Sequence, residues 1–359
     1  MACSCWLWWA IGGALALWAT GWAHLRFWRQ RLTRPAPYDE THRIKTPDGS
    51  AFELRRLRPV PGRDNGPPVL LCHGIAINHR NVDPDDQLSL ARSLHEAGKD
   101  VWLLTLRSGR SDLTWAERRG TRFSAMVAHD VPLAVQEVRR RTDTAQIDYV
   151  GFSMGGMLWY GALDYTVPQL QVRRTVIIGS PGRVGQLVPF AGVFKALPPT
   201  WMPDAPLRLG GQLVAFAAEW FETWIHRLTM NLRNCTPGYV RHVSMEGVQD
   251  VPGPLLHDLV RWAHTDRVPR LDDGRDILAG LGHVDVPVLM VAGTADKLCP
   301  VGHLQFAFER WGCNKPHTPK RMLVVGKAHG HADDYGHTDL MIGRNAARDV
   351  LDPIVQFLR

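Results

Sequence analysis

A serine between two glycines at a strand–turn–helix junction constrains this chain more than any other feature. A short apolar strand over residues 147–150 leads into Gly151-Phe152-Ser153-Met154-Gly155, and a helical run over residues 156–165 follows. This order is the setting of a nucleophile elbow, where a serine is held on a strained turn with its hydroxyl exposed. We expect glycine at positions 151 and 155 because the strand and the helix pass too close there for side chains. The alternative is a buried serine in a Gly-rich turn.

Most of the chain alternates between apolar strands and helical segments. Strands are predicted at residues 69–72, 101–104, 175–179, 287–292 and 322–325, and helices at residues 87–97, 131–140, 301–311 and 344–358. Before them, residues 43–46 and 51–58 flank a Pro47-Asp48-Gly49 turn and predict a hairpin. Such alternation indicates an α/β fold with right-handed crossovers and a mostly parallel sheet covered by helices on both faces.

The alternation stops between about residue 181 and residue 281, and a chain of 359 residues is long for one domain. We therefore expect an α/β core of residues 35–182 and 282–359, a helical cap insertion of residues 183–281, and a separate N-terminal segment of residues 1–34. One apolar stripe at helical spacing runs through the cap: Leu213, Phe216, Ala217, Trp220, Trp224 and Leu228. The stripe predicts the packed interior of the cap, and a lipid-contacting lid is the alternative.

Residues 1–34 predict a single transmembrane helix with a basic flank. Residues 6–25 form an uncharged, Trp-rich run of the ~20 residues that a bilayer requires. Arg26, Arg29, Arg31 and Arg34 follow directly, so the positive-inside rule predicts that the domain behind them is cytoplasmic. The alternative is a signal peptide cleaved after Gly21-Trp22-Ala23 and an exported protein, although a signal peptide would carry its positive charge before the apolar run.

The net charge of +7 comes mostly from arginines scattered along the chain. No block resembles a nucleic-acid module, so we expect no nucleic-acid partner and interpret the charge as solvated surface with some affinity for anionic lipid. The six cysteines, at positions 3, 5, 72, 235, 299 and 313, have neither metal-ligand spacing nor the pattern of a disulfide framework. Nothing in the sequence indicates an oligomeric state.

Three further segments carry a family resemblance. They are Ala97 to Leu103 with Arg107 to Gly109, His129 to Pro132, and Tyr335 to Leu340 with Gly343. They are similar to the "AGYDVWLGNSRG", "YDLPA" and "NHLDFLWG" segments of the acid-lipase-like branch of α/β-hydrolase-fold proteins. The resemblance covers about residues 40 to 359, and it implies a serine hydrolase that uses a Ser-His-Asp triad and no cofactor.

A serine hydroxyl is a weak nucleophile, so a base must take its proton and a carboxylate must hold that base. In this fold the chain order is serine, acid, histidine. Asp296 is the predicted acid, because it lies in the loop after the strand at residues 286–291, and functional loops follow strand carboxyl ends. The alternative role for Asp296 is helix capping near Pro300; the rival acids are Asp266, Asp272 and Asp273.

Three histidines, His329, His331 and His337, follow the last predicted strand and are candidates for the base. His337 matches the histidine segment of the family and precedes the C-terminal helical region, so the resemblance favours it. A metal site formed by the three histidines is the other interpretation, but their spacing matches no common ligand pattern, and we expect no metal.

The oxyanion hole is predicted from position in the fold. One donor is the backbone N–H of Met154, directly after the nucleophile. The other is the N–H of Ile75, because His73-Gly74 after the first buried strand resembles the "HG" pair of this fold. Gly74 lets the backbone approach the substrate carbonyl, and His73 is expected to be structural.

These features predict a membrane-anchored serine hydrolase that cleaves a carboxylic ester, with an apolar or lipid molecule as the substrate. Two alternatives remain. An acyltransferase or thioesterase uses the same triad, and a non-catalytic member of the fold serves as a membrane-bound interaction protein. Ser153 argues against polyhydroxyalkanoate synthases, whose nucleophile is usually cysteine, and excludes epoxide hydrolases and dehalogenases, which have aspartate at the elbow.

Overall fold

The computed structural model describes residues 2–62, 66–85, 87–185, 197–263 and 267–359, with side chains described from residue 6 onward except at residue 7. Its strands are β1 (Glu40–Lys45), β2 (Ala51–Leu57), β3 (Val69–Cys72), β4 (Val101–Thr105), β5 (Ile147–Phe152), β6 (Val172–Ile178), β7 (Val288–Gly293) and β8 (Lys320–Val325). They form one sheet in the order β1-β2-β4-β3-β5-β6-β7-β8. The first two strands join the sheet antiparallel, and β4 onward pair in parallel.

The α-helices of the described residues, numbered in chain order, are α1 (Ala2–Leu32), α2 (Leu90–Glu96), α3 (Trp115–Gly120), α4 (Phe123–Ala125), α5 (Val131–Thr142), α6 (Met154–Ala162), α7 (Leu207–Val214), α8 (Trp224–Thr229), α9 (Tyr239–Glu246), α10 (Gly253–Ala263), α11 (Val301–Arg310), α12 (Asp339–Ile342) and α13 (Asp352–Leu358). Helices α7 to α10 lie between β6 and β7, within the predicted cap. The α/β fold class is confirmed.

The central strands explain why the sheet is covered on both faces. Every residue of β3, β4 and β5 is buried, as expected for strands that are apolar on both sides. Neighbouring residues enter different hydrophobic clusters: Leu70 belongs to one and Leu71 to the other. Since successive side chains of a strand point to opposite faces, the two clusters lie on the two faces of the sheet.

The predicted N-terminal hairpin forms as expected. β1 and β2 are antiparallel and joined by a turn in which the N–H of Thr46 donates to Ser50 O at 3.0 Å. Gly49 has φ +81°, a backbone conformation that favours glycine. The hairpin then extends the sheet through β2, which pairs with β4.

The apolar stripe predicted in the cap is not one helix and does not form the cap interior. Helix α7 ends at Val214, and α8 starts anew at Trp224, where the Thr223 side chain caps the helix N-terminus. Trp220 is 61% exposed and Trp224 is 72% exposed, so both rings face outward. The stripe is therefore interrupted between α7 and α8, which periodicity along the sequence does not reveal.

Helix α1 includes all of the predicted transmembrane span, residues 6–25. The C-terminal end of α1 packs against the cap. The Trp28 and Phe216 rings stack at 5.4 Å, and His24 Nε2 lies 3.0 Å from Leu213 O. In the described part of the chain, no helix combines the length and the apolar character needed to cross a membrane. The predicted transmembrane span over residues 6–25 is therefore not confirmed.

Candidate active site

Ser153 occupies the tight turn between β5 and α6. Its φ of +53° and ψ of −119° are unusual for a residue with a side chain, and its N–H donates to Ile178 O at 2.8 Å. Such backbone strain is a feature of functional turns that the surrounding structure holds in place. Ser153 is 9% exposed, so the elbow lies at the floor of a covered region.

The glycines around the elbow are required by close backbone contacts, as predicted. A Cβ on Gly151 would lie 2.6 Å from the N of Gly156, across the turn. A Cβ on Gly155 would lie 2.9 Å from His73 O, so this glycine admits the end of the neighbouring strand β3 rather than the elbow's own strand. A third glycine, Gly156, was not singled out from the sequence, and a Cβ there would overlap the Ser180 side chain after β6.

The loop after β3 lies directly against the elbow. A Cβ on Gly74 would be 3.0 Å from Ser153 Cβ. Among the described residues, the backbone N–H groups of Ile75 and Met154 donate no hydrogen bond. Met154 is the first residue of α6, where N–H groups have no partner within the helix, and Ile75 is half-buried. Two unpaired donors beside one serine are suited to an oxygen that a ligand brings.

His73 is buried and anchors this loop. Its Nδ1 lies 2.7 Å from Gly74 O, and its Nε2 accepts the N–H of Leu106 at 3.0 Å. Nε2 must therefore be unprotonated, which assigns the neutral imidazole with its proton on Nδ1. Burial lowers the pKa of His73 to about 4, in agreement with that tautomer. The side chain is structural, as expected.

Of the three candidate histidines, His337 lies next to the predicted acid. Its Nδ1 is 2.7 Å from Asp296 Oδ2, and both residues are buried. The other carboxylate oxygen of Asp296 accepts the N–H groups of Leu298 at 2.9 Å and Cys299 at 2.8 Å. These bonds orient the carboxylate. Because the carboxylate binds Nδ1 of His337, the other ring nitrogen, Nε2, is available to the reacting groups.

The rival residues lie elsewhere. His329 is exposed, and the Nδ1 of His331 lies 3.1 Å from Gly326 O. Asp272 pairs with Arg122 at 2.8 Å, and Asp273 accepts the Tyr165 hydroxyl at 3.1 Å. Asp266 lies outside the described residues.

The elbow and the His337–Asp296 pair meet at the ends of β5 and β6. The His337 ring is 4.9 Å from the Phe152 ring, and a Cβ on Gly179 would lie 3.2 Å from His337 Nδ1 and 3.4 Å from Asp296 Oδ2. Within the described part of the chain, no hydrogen bond joins Ser153 Oγ to His337. Such bonds are often long without substrate and shorten in the reactive complex.

The family model described as "alpha/beta hydrolase fold" matches residues 67–342, which include the elbow, the acid loop and the histidine. The chain belongs to the α/β-hydrolase fold family. Its sequence likeness is to the acid-lipase-like branch. It is 30% identical to human gastric triacylglycerol lipase over 152 residues, which are 38% of this chain and 37% of that protein. It is 28% identical to a putative lysosomal acid lipase/cholesteryl ester hydrolase from Crotalus adamanteus, over 41% of this chain and 40% of that one.

The chain thus spans well under half the length of the curated relatives it matches. Solved α/β hydrolases cover much more of it. A thermophilic esterase from Thermogutta terrifontis superimposes with a TM-score of 0.55 and 17% identity, over 89% of this chain and 98% of that chain. At this identity the likeness shows the fold alone.

Two of the segments that carry the family resemblance pair with each other in the interior. Arg107, buried, lies 2.6 Å from Asp130 Oδ1, and its backbone N–H donates to Asp130 Oδ2 at 3.0 Å. Arg107 also contacts Asp48 of the hairpin turn at 2.5 Å. Arg107 thus ties the loop after β4 both to the hairpin turn and to Asp130, which lies 23 residues further along the chain. The family pattern marked both residues, but their pairing is visible only in the fold.

Proposed function

We propose that this α/β hydrolase cleaves a carboxylic ester through an acyl-enzyme formed on Ser153. The observation that carries the proposal is the 2.7 Å contact between His337 Nδ1 and Asp296 Oδ2, next to a serine elbow with two unpaired backbone N–H groups. Nucleophile, base, orienting carboxylate and oxyanion donors are the parts that acyl transfer needs.

Each part has a defined task in the proposed mechanism. His337 Nε2 takes the Ser153 proton while Oγ attacks the ester carbonyl, and Asp296 stabilises the imidazolium that forms. The carbonyl oxygen becomes an oxyanion that accepts from the N–H groups of Ile75 and Met154. The alcohol leaves with the proton from His337. Water then attacks the acyl-serine by the same route and releases the acid.

We propose an apolar ester, such as a lipid, as the substrate. The curated relatives are named as lipases, and the cap and α1 carry large apolar side chains on their outer surface. Exposed apolar surface of this extent is typical of a site that contacts lipid or another partner. The cap and α1 contribute to it together, with Trp18 at 71% exposure and Trp224 at 72%.

We further propose that this surface rests on a membrane containing anionic lipid. Arg26, Arg29 and Arg31 are exposed on α1 beside the Trp-rich face, and each arginine near an anionic surface contributes about 1 kcal/mol. A tryptophan ring is suited to the bilayer interface, where its apolar body is buried and its N–H remains wet. We also propose that the core is cytoplasmic, because the arginines that follow the Trp-rich run favour the cytoplasmic side of a membrane.

Labelling with a fluorophosphonate tests the catalytic proposal directly. Wild-type protein should label and should hydrolyse p-nitrophenyl esters of graded chain length, with a preference for acyl chains longer than acetate. Ser153→Ala should do neither while keeping the same circular dichroism spectrum and melting temperature. A folded Ser153→Ala protein with near-normal esterase activity would exclude Ser153 as the nucleophile. Competition by added alcohols and thiols as acyl acceptors distinguishes hydrolysis from acyl transfer.

A further inference from the structure

The segment that carries His337 is held by a stretch of the cap, residues 229–236. Apart from the bonds of Asp339, four hydrogen bonds join this cap stretch to residues 334–344. The side-chain amide of Asn231 donates to Asp334 O at 2.8 Å, and the N–H of Thr338 donates to Thr229 O at 2.8 Å. The other two, from Thr236 N to Ile342 O at 2.8 Å and from Arg344 N to Asn234 O at 2.7 Å, form a strand-like bridge between Cys235 and Gly343. The polypeptide around His337 is therefore ordered by the cap as well as by the sheet.

Asp339 lies at the centre of this junction and is fully buried. Its Oδ1 accepts the backbone N–H of Asn231 at 2.9 Å. Its Oδ2 accepts from the side-chain amide of Asn234 at 2.8 Å and from the N–H of Gly336 at 3.0 Å. One carboxylate thus joins two cap residues to the residue that directly precedes His337.

The junction is tight and specific to these side chains. A Cβ on Gly336 would lie 2.6 Å from the N of Asn231, so only glycine permits the cap to approach so closely. The side-chain oxygen of Asn234, Oδ1, is buried and accepts no hydrogen bond among the described residues. The molecule thus leaves a buried acceptor unpaired while the Asn234 amide group donates to Asp339.

We propose that Asp339 is a positioning residue for His337, and that it aligns the imidazole with Asp296 only while residues 229–236 of the cap are docked. The inference rests on the proposed role of His337 as the base. The peptide N–H groups on both sides of His337, those of Gly336 and Thr338, are bonded to Asp339 and to the cap. A displacement of the reacting groups by about 1 Å costs about 100-fold in rate. Cap position therefore controls the catalytic base.

The test compares Asp339→Asn with Asp258→Asn in the full chain. All three partners of Asp339 are donors, so an amide at this position turns its own NH₂ group toward one of them. Asp258 is a matched control: it is buried, lies on cap helix α10, and ties the cap to the core at Arg122 and Phe123, away from His337. Active sites are first counted by fluorophosphonate end-point titration, so that loss of folded protein does not enter the rates.

Per active site, Asp339→Asn should lower kcat on a p-nitrophenyl ester about 10- to 100-fold and leave KM within about twofold, because the loss is of alignment rather than binding. Asp258→Asn should keep kcat per site within about twofold of wild type. The double variant Asn234→Asp with Asp339→Asn reverses donor and acceptor and should recover part of the rate. If Asp339→Asn does not fold, Asn234→Ala removes one of the three donors and should lower kcat per site about tenfold.

An unchanged kcat per site in a folded Asp339→Asn or Asn234→Ala protein would overturn the inference. So would an equal loss in Asp258→Asn, since any disturbance of the cap would then have the same effect. Failure of the proposed function is recognised separately, by esterase activity that survives Ser153→Ala.

Discussion

Asp296 and His337 lie 41 residues apart in the chain and 2.7 Å apart in the structure, as a buried carboxylate–imidazole pair. Each comes from the loop after a different strand, Asp296 after β7 and His337 after β8. Because β7 and β8 are parallel neighbours, both loops emerge at the same edge of the sheet. Ser153, at the end of β5, lies at this same edge of the sheet. One sheet therefore brings Ser153, Asp296 and His337 together.

His337→Gln should lower kcat/KM on short esters by about 10⁴, the usual loss when a triad member is removed. Asp296→Asn should cause a loss of similar size, because the imidazole then lacks the carboxylate that holds its tautomer. His329→Gln is the matched control, since His329 is exposed in the same loop and should keep wild-type activity. Steady-state kinetics on the three purified variants measures this, and a large loss in His329→Gln with an active His337→Gln would reverse the assignment.

Gly156→Ala should destabilise the protein by about 1–3 kcal/mol, because the new methyl group would lie 2.7 Å from Ser180 Cβ in a packed interior. Gly302→Ala serves as the control, since no atom lies within 4 Å of a Cβ built there. Gly302→Ala lies in helix α11 and should raise the free energy of unfolding by up to about 1 kcal/mol, because alanine favours the helix more than glycine does. Urea unfolding followed by circular dichroism gives both free energies, and equal stabilities of the two variants would contradict the packing argument.

The buried His73 should make stability fall in mild acid. Its pKa is lowered by burial from 6.5 to about 4, so the unfolded chain binds a proton between these values and the folded chain does not. Stability from this group is present above pH 6.5 and is lost as the pH falls toward 4, by about 3 kcal/mol in total. His73→Gln should flatten that part of the profile, whereas exposed His317→Gln should not. Unfolding free energies from pH 7 to pH 4.5 test this, and parallel profiles for wild type and His73→Gln would refute it.

The exposed tryptophans of the cap should contribute to membrane binding. Trp220→Ser with Trp224→Ser should lower the fraction that sediments with vesicles of phosphatidylcholine and phosphatidylserine by at least threefold, because interfacial aromatic surface is lost. Leu170→Ser is the control: Leu170 is 83% exposed but precedes β6, at the opposite edge of the sheet from Ser153. Equal sedimentation of all three proteins would argue against the proposed surface. Replacing phosphatidylserine with phosphatidylcholine should weaken binding of the wild type, since α1 carries exposed arginines.

The helices and strands that could be predicted are those in which the apolar pattern of the sequence matches the burial of the residues in the fold. The residues of β3 were predicted at their observed bounds, because a four-residue apolar run is too short for an ordinary helix and its length favours a buried strand. Helix α11 was predicted over residues 301–311 and runs from Val301 to Arg310, so its bounds agree to within one residue. The prediction for the cap stripe was wrong for the opposite reason. Its tryptophans are exposed while Phe216 packs against α1, and periodicity does not say what a face contacts.

The sequence by itself determined the strand–turn–helix around Ser153, the fold class and the order of the candidate residues along the chain. These depend on local backbone preferences and on apolar patterning, and both are determined by residues that are close together in the chain. Only the tertiary structure decided that Asp296 meets His337 rather than His329 or His331. It also decided that Arg107 pairs with Asp130, and that Asp339 joins the cap to the histidine loop. Those pairings depend on how strands and cap pack, because contacts between distant residues are set by the fold and not by any one segment.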